Sequence, residues 1–169
     1  MSTNPVIATL GALSSAGVEF VVCGGVACVL QGVARATHDL DLLVALEVEN
    51  LRRLLAVTSQ LGLRPRIPEP PTALLDPEAR RRWREEKHAV VYTFVPDRGA
   101  FALDVFLEYP VPFPELAADA VAMNVGGVTI RVSSRRHLLL AKRAVRPPRR
   151  QDLRDIEDLE ALLAAEEPQ

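Results

Sequence analysis

The segment from Gly24 to Val44, GGVACVLQGVARATHDLDLLV, constrains the fold more than any other part of the sequence. The apolar run VEFVVC before it predicts a buried strand that ends at a glycine pair. VACVLQG then predicts a short helix that stops at Gly32, and DLDLLVAL predicts a second strand. A strand, a turn, a helix and a strand in such close succession favour helices packed against a mixed sheet.

Helices and strands alternate along the remaining chain as well. Helices are predicted at 5–16 with Asn4 as the N-cap, at 47–62, at 76–87, and in two C-terminal segments at 135–145 and 152–166. Strands are predicted at 88–95 and 101–109, and a hairpin turns at Gly126 and Gly127. The proline-dense segment 63–75 predicts a surface loop that could cover a site.

These patterns predict an α/β (α+β) fold, a mixed β-sheet flanked by helices. We expect residues 1–169 to form a single domain, with a core at about 18–110 and a C-terminal hairpin and helices at 119–165. In the helix at 47–62, one apolar face is predicted to contain Leu51, Leu54, Leu55 and Leu61.

The composition narrows the class of protein. A charged fraction of 25% and a net charge of -2 are typical of a globular protein and argue against general binding of polyanions. The two cysteines, Cys23 and Cys28, lack the partners of a zinc site and indicate a reduced, cytoplasmic protein. No apolar run reaches the ~20 residues of a membrane span, so we expect no membrane association.

Two aspartates stand inside the second predicted strand. Because side chains alternate along a strand, Asp39 and Asp41 project from the same face. Like charges at this distance either raise the pKa of a carboxyl group or require a cation, and oxygen ligands favour Mg²⁺ or Mn²⁺. Asp104, isolated among apolar residues in a later strand, could complete a site for two metal ions that serves phosphoryl or nucleotidyl transfer. Alternatively, the pair is a solvated strand end and Asp104 forms an ion pair with Arg35 or Arg98.

The glycine pair and a basic segment could bind phosphate. Gly24 and Gly25 lack side chains and begin a helix, where free backbone N–H groups favour anions, although a glycine pair is most often only a tight turn. No acidic residue lies between Asp119 and Asp152, and Lys142 is the best candidate in that basic segment to reach a phosphate. The alternative is a solvated helix whose cations complement its C-terminus.

Four other residues have a structural interpretation. Asp152 and Asp155 fall in the first turn of the last predicted helix, where capping is the expected role. His38 should point to the opposite face of the strand from its neighbouring acids, and Trp83 is expected to anchor a helix rather than to stack on a base.

The quoted segment resembles the signature of the nucleotidyltransferase superfamily, in which a Gly-Gly or Gly-Ser precedes Asp-x-Asp and a later strand adds a carboxylate. It is most similar to the small bacterial branch of AbiEii-type toxins, whose pattern Arg-x-Thr-x-Asp-x-Asp is matched by Arg35, Thr37, Asp39 and Asp41. The tail LLLAKRAVRPPRRQDLRDIEDLEALL is also similar to that branch, so the resemblance extends from about Val21 to Leu163.

This resemblance implies transfer of a nucleoside monophosphate from an NTP to a hydroxyl group. Gly24 and Gly25 would hold the triphosphate with Arg35, Thr37 and Lys142, and the catalytic aspartates Asp39, Asp41 and Asp104 would hold Mg²⁺ or Mn²⁺. Gly25 stands where many relatives have a phosphate-binding serine, and the chain lacks the additional C-terminal domain of larger relatives.

The acceptor stays open at the level of sequence. The resemblance implies an RNA or tRNA end or a protein, and a type IV toxin with a cognate antitoxin as partner. The alternatives are a small-molecule antibiotic as the acceptor, or a catalytically inactive module that keeps the fold for binding nucleotides or proteins.

Overall fold

The computed structural model describes residues 4–166 of the chain. Within this range lie seven α-helices, one 3₁₀ helix at Pro71–Leu75, and seven strands. The helices are α1 (Pro5–Ser15), α2 (Gly24–Leu30), α3 (Val48–Gln60), α4 (Pro77–Lys87), α5 (Phe113–Ala118), α6 (Arg135–Ala144) and α7 (Arg150–Glu166). The strands are β1 (Phe20–Cys23), β2 (Asp39–Val44), β3 (Leu63–Pro65), β4 (Val91–Pro96), β5 (Ala102–Phe106), β6 (Val121–Val125) and β7 (Val128–Val132).

The seven strands form one mixed sheet in the order β3-β4-β5-β2-β1-β7-β6. Strand β2 runs parallel to β5 and antiparallel to β1, and β7 joins the other side of β1 in parallel. The C-terminal hairpin therefore continues the same sheet as the core strands. This architecture confirms the predicted α/β fold with a single mixed sheet.

Local sequence signals explain where several helices begin. Asn4 caps α1 by accepting a hydrogen bond from the Val6 N–H at 2.9 Å, directly before Pro5. The Asp76 carboxylate caps α4 in the same way. Ser134 caps α6, since its Oγ accepts a hydrogen bond from the His137 N–H at 3.3 Å.

The hairpin between β6 and β7 follows from its glycines. Gly126 and Gly127 have φ values of 59° and 87°, the positive values that a two-residue hairpin turn requires.

Three details depart from the sequence prediction. The proline-dense segment contributes a short strand, β3, and a 3₁₀ helix against α3 and α4, and it does not line the cleft described below. Leu61 is 37% exposed and lies outside the buried face of α3, because the helix ends at Gln60 before Gly62. Helix α5 was not predicted, since its six residues carry too few turns for a periodic pattern.

The two faces of β2 have different surroundings. Leu40, Leu42 and Val44 join the larger apolar core, whereas Leu43 contacts a smaller cluster partly formed by α5. Because Asp39 and Asp41 share the face of Leu43, this strand directs its carboxylates away from the larger core.

Trp83 anchors α4 as expected. It is 3% exposed, its ring centroid lies 5.1 Å from that of Tyr92, and its Nε1–H donates to Glu69. Among residues 4–166, no helix has both the length and the apolar character needed to cross a membrane.

Candidate active site

Three aspartates from two neighbouring parallel strands meet at one cleft. The register pairs Asp41 of β2 with Asp104 of β5, while Asp39 is paired with Ala102 on the same edge of the cleft. All three carboxylates line a cleft of 720 Å³, together with Gly24, Gly25, Arg35, Thr37 and Lys142. The structure thus brings together every residue that the sequence singled out for catalysis and nucleotide binding.

Asp41 is the most electrostatically strained of the three acids. Its burial, together with the nearby charge of Asp104, raises its pKa to about 6. The Gly25 N–H donates weakly to its Oδ2 at 3.4 Å and opposes the shift. A carboxylate in this setting gains stability from either a proton or a cation.

Asp104 is oriented by a residue that sequence reasoning missed. The Thr93 hydroxyl on the adjacent strand β4 donates to its Oδ1 at 2.5 Å. Among residues 4–166, Asp104 forms no ion pair and Arg35 pairs with Asp155, so the alternative of an ion pair with Arg35 or Arg98 is wrong. Thr93 could have been found only by knowing the register of β4 on β5, because a threonine in a strand is unremarkable by itself.

The glycine pair is required by the chain's own packing. A Cβ on Gly24, where φ is +58°, would lie 2.0 Å from Asp41 Oδ2, and a Cβ on Gly25 would lie 2.7 Å from Thr37 Oγ1. The glycines therefore allow the two ends of the Gly24–Val44 segment to touch, and α2 begins at Gly24 itself rather than after the pair.

Lys142 lies between two buried carboxylates. Its Nζ is 3.0 Å from Asp152 Oδ1 and 2.8 Å from Asp155 Oδ2, and both aspartate side chains are fully buried. Burial lowers the pKa of Lys142, but its hydrogen bonds to Asp155 and Asp152 outweigh burial and raise the pKa overall. An ammonium group has three N–H donors, so one remains for a ligand in the cleft.

The expected capping role describes only part of what Asp152 does and does not describe Asp155. Asp152 does accept a hydrogen bond from the Arg149 N–H at 3.2 Å, but it also pairs with the Arg149 guanidinium and with Lys142. Burial acts to raise the pKa of Asp152, and the hydrogen bonds from Arg149 and Lys142 hold it well below its usual range. Two buried carboxylates of this kind need cationic partners, which first-turn position alone does not reveal.

Two other arginines of the basic segment form ion pairs away from the cleft lining. Arg135 donates to the Gln31 carbonyl and pairs with Glu166, and Arg143 pairs with Glu160. Arg146 and Arg149 do line the cleft. His38 lines a separate cavity with residues of α1 and the β4–β5 turn, in keeping with its predicted orientation.

The donor set suits a hard divalent cation. All three acids offer only oxygen ligands, and the raised pKa of Asp41 shows a carboxylate that a cation would stabilise. Within residues 4–166, no three acidic, histidine or cysteine side chains already converge into a preformed metal centre.

The cleft also has many apolar lining residues. They are Val90, Val91, Phe106, Pro110, Leu138, Ala141, Ala144 and Val145, and Glu108 and Tyr109 line the cleft as well. The cleft thus combines charged and apolar lining residues.

The fold is shared with known nucleotidyltransferases. The lincomycin-bound crystal structure of the lincosamide antibiotic adenylyltransferase LnuA matches with a TM-score of 0.63 and 12% identity, covering 96% of this chain and 98% of that chain. ANT(2")-Ia in complex with adenylyl-2"-tobramycin matches with a TM-score of 0.56 and 17% identity, covering 94% and 95%. An antigenic nucleotidyltransferase-like protein from Paracoccidioides brasiliensis matches with a TM-score of 0.55 and 19% identity, covering 93% of this chain and 74% of that chain. At these identities the likeness defines the fold, which is that of the nucleotidyltransferases.

The sequence itself identifies the family. Residues 9–169 match the family described as "Nucleotidyl transferase AbiEii toxin, Type IV TA system", so the chain belongs to the AbiEii family and is a nucleotidyltransferase. Among curated proteins, none matches the chain.

Proposed function

We propose that this nucleotidyltransferase moves a nucleoside monophosphate from an NTP to a hydroxyl group of an RNA or tRNA end, with Mg²⁺ or Mn²⁺ bound. The observation that carries this proposal is the common cleft of Asp39, Asp41 and Asp104, formed because β2 and β5 pair in parallel with Asp41 beside Asp104.

Asp104 is the residue that acts on the acceptor. The hydroxyl oxygen of the acceptor attacks the α-phosphorus of the NTP and forms the new P–O bond, while its proton passes to the Asp104 carboxylate. The bond from the α-phosphorus to the bridging oxygen breaks, and pyrophosphate leaves with that oxygen. The hydrogen bond from Thr93 to Oδ1 fixes the carboxylate and leaves Oδ2 for the proton.

The residues around the glycine pair bind the triphosphate. Arg35 and Lys142 supply N–H donors and positive charge, and Thr37 supplies a hydroxyl group. Gly24 and Gly25 keep the floor of the cleft free of side chains beside these donors.

Asp39, Asp41 and Asp104 are the residues that would hold a divalent cation. When bound, such an ion neutralises negative charge on the phosphates and on the attacking and leaving oxygens. Without a cation, the half-buried carboxylate of Asp41 and the triphosphate would repel each other.

An RNA or tRNA end is supported as the acceptor by exposed cations at the mouth of the cleft. Arg146 and Arg149 line the cleft, lie in the break between α6 and α7, and are exposed. They offer a polyanion a local contact even though the net charge of the chain is -2. A type IV toxin that acts on cytoplasmic RNA, with a cognate antitoxin as partner, is the corresponding biological role.

A small-molecule acceptor is the second candidate. Its support is the apolar part of the cleft lining, together with the fold shared with two enzymes whose structures hold lincomycin and adenylyl-2"-tobramycin.

One experiment separates these acceptors. Each α-³²P-labelled NTP is incubated with Mg²⁺ and the protein, and with total tRNA, lincomycin, tobramycin or a bacterial protein extract in turn. Label that enters RNA and is released by ribonuclease supports the proposal. Label in an antibiotic or in protein would refute RNA as the acceptor and identify the labelled molecule as the acceptor instead.

Variants test the residue roles in the same assay. Asp104→Asn should abolish transfer, while Asp97→Asn, an exposed acid in the turn after β4, should match the wild type. Equal activity of Asp104→Asn and the wild type would refute the proposed role of Asp104.

A further inference from the structure

A group of buried charges lies behind the cleft, where α7 meets α6. Asp155 is fully buried and does not itself line the cleft. Its Oδ2 is 2.5 Å from Arg35 Nη1 and 2.8 Å from Lys142 Nζ, and its Oδ1 accepts a hydrogen bond from Gln151 at 2.8 Å. Asp155 can therefore reach a substrate only through the cations that it holds.

The Arg35 guanidinium is held on two sides. On one side, its central carbon is 3.2 Å from the place that a Cβ on Gly25 would occupy, so it lies directly against the glycine backbone. On the other side stands Asp155, its sole carboxylate partner among residues 4–166. The Arg35 side chain is 15% exposed and lines the cleft, and its Nη2 group donates to no described residue.

The two cations depend on Asp155 to different degrees. Lys142 keeps Asp152 as a second partner at 3.0 Å, whereas Arg35 has no second carboxylate in the described range. Loss of the Asp155 charge would leave Lys142 paired but would free Arg35 to move.

We propose that Asp155 is a positioning residue for nucleotidyl transfer, which fixes Arg35 against Gly25 so that the unpaired Nη2 donors of Arg35 serve the triphosphate. This inference rests on the proposed function of the cleft as the nucleotide site. A fixed guanidinium binds phosphate oxygens without first losing side-chain freedom, so Asp155 acts mainly on nucleotide affinity.

The test compares Asp155→Asn with Asp158→Asn, an exposed aspartate on the same helix. In the presence of Mg²⁺, the KM of each NTP and the Kd of its α,β-methylene analogue should rise about 10-fold in Asp155→Asn, the effect of losing one charged hydrogen bond. The kcat should change less than KM, because Arg35 binds the triphosphate before and during the reaction. Asp158→Asn should behave like the wild type.

A double-mutant cycle with Arg35→Ala separates positioning from general stability. If Asp155 acts through Arg35, adding Asp155→Asn to Arg35→Ala should raise KM less than twofold further. A 10-fold rise that persists without Arg35, or an unchanged KM in Asp155→Asn alone, would overturn the inference. If Asp155→Asn does not fold, Asp155→Glu takes its place in the cycle, since its longer side chain keeps the charge and displaces Arg35.

The two proposals fail in different ways. If the wild-type protein binds none of the four analogues, the proposed nucleotide site is refuted. If the wild type binds them and Asp155→Asn binds equally well, only the positioning role is refuted.

Discussion

Gly24→Ala provides the most direct test of how the glycine pair and Asp41 fit together. The new Cβ would lie 2.0 Å from Asp41 Oδ2, 2.5 Å from Cγ and 2.7 Å from Cβ, all too close for any real contact. Either Asp41 or the start of α2 must therefore shift in this variant.

The expected loss of stability has two parts. A non-glycine residue at a φ of +58° costs about 1–2 kcal/mol, and overpacking against Asp41 adds about 1–3 kcal/mol. Gly62→Ala is the matched control, because Gly62 has a φ of +65° and no atom lies within 4 Å of its added Cβ. The control should lose only the first part, so the difference between the two variants measures the contact with Asp41.

Urea unfolding measures the loss of stability of Gly24→Ala and of Gly62→Ala in the same assay. Trp83 is the sole tryptophan and is 3% exposed against Tyr92, so its fluorescence reports unfolding of the domain. A further variant, Asp41→Ala, removes the Oδ2 and Cγ contacts and should reduce the cost of Gly24→Ala. If Gly24→Ala and Gly62→Ala are equally destabilised, the glycine is not required by Asp41 and the reasoning is refuted.

Three further outcomes follow from single contacts. Because the pKa of Asp41 is raised from 3.8 to about 6 in the folded protein, folding favours the protonated carboxyl group. Its contribution to the free energy of unfolding is complete below pH 3.8 and is lost as the pH rises through 6. In urea unfolding with EDTA, the free energy of unfolding of Asp41→Asn should thus exceed that of the wild type by about 1–3 kcal/mol at pH 8, and the difference should disappear at pH 4. A difference that does not change with pH would contradict this prediction. Asn50→Ala should lower the free energy of unfolding by about 2–4 kcal/mol in the same assay. The buried Asn50 amide accepts a hydrogen bond from the Glu19 N–H at 2.7 Å and donates to the Glu19 and Ala45 carbonyls at 3.0 and 2.8 Å. A loss below about 1 kcal/mol would contradict this structural role. Thr93→Val should lower the rate of nucleotidyl transfer roughly 10- to 100-fold because Asp104 loses its orienting hydrogen bond, and an unchanged rate would exclude that role.

The sequence predicted the placement of the candidate catalytic aspartates better than it predicted the residues that contact them. Asp39 and Asp41 could be placed on one face because the period of a strand is two, and a lone aspartate in an apolar strand marked Asp104. The pairing of Asp41 with Asp104 depends on which strands become neighbours, and no local pattern encodes that choice. Thr93 was missed for the same reason.

The partners of Lys142 show a second limit. The sequence placed both Asp152 and Asp155 in the first turn of the last helix, a position where acids are common at the surface, and local rules therefore favoured capping. In the structure α7 begins at Arg150, so that only Asp152 lies in its first turn. Their burial arises only when α7 packs on α6 and on the segment that carries Arg35. Local rules describe a helix by itself, whereas the electrostatics of these acids are set by the neighbouring elements.

The pairing of Arg35 with Asp155 also determines when, during synthesis of the chain, Arg35 can be held in place. The two residues are 120 positions apart in the chain, and the ion pair joins them across the fold. A nascent polypeptide that already carries Asp39, Asp41 and Asp104 still lacks Asp152 and Asp155. If the cleft binds nucleotide as proposed, nucleotide affinity should then arise late in translation, so that shorter, incomplete chains remain weak binders of NTP.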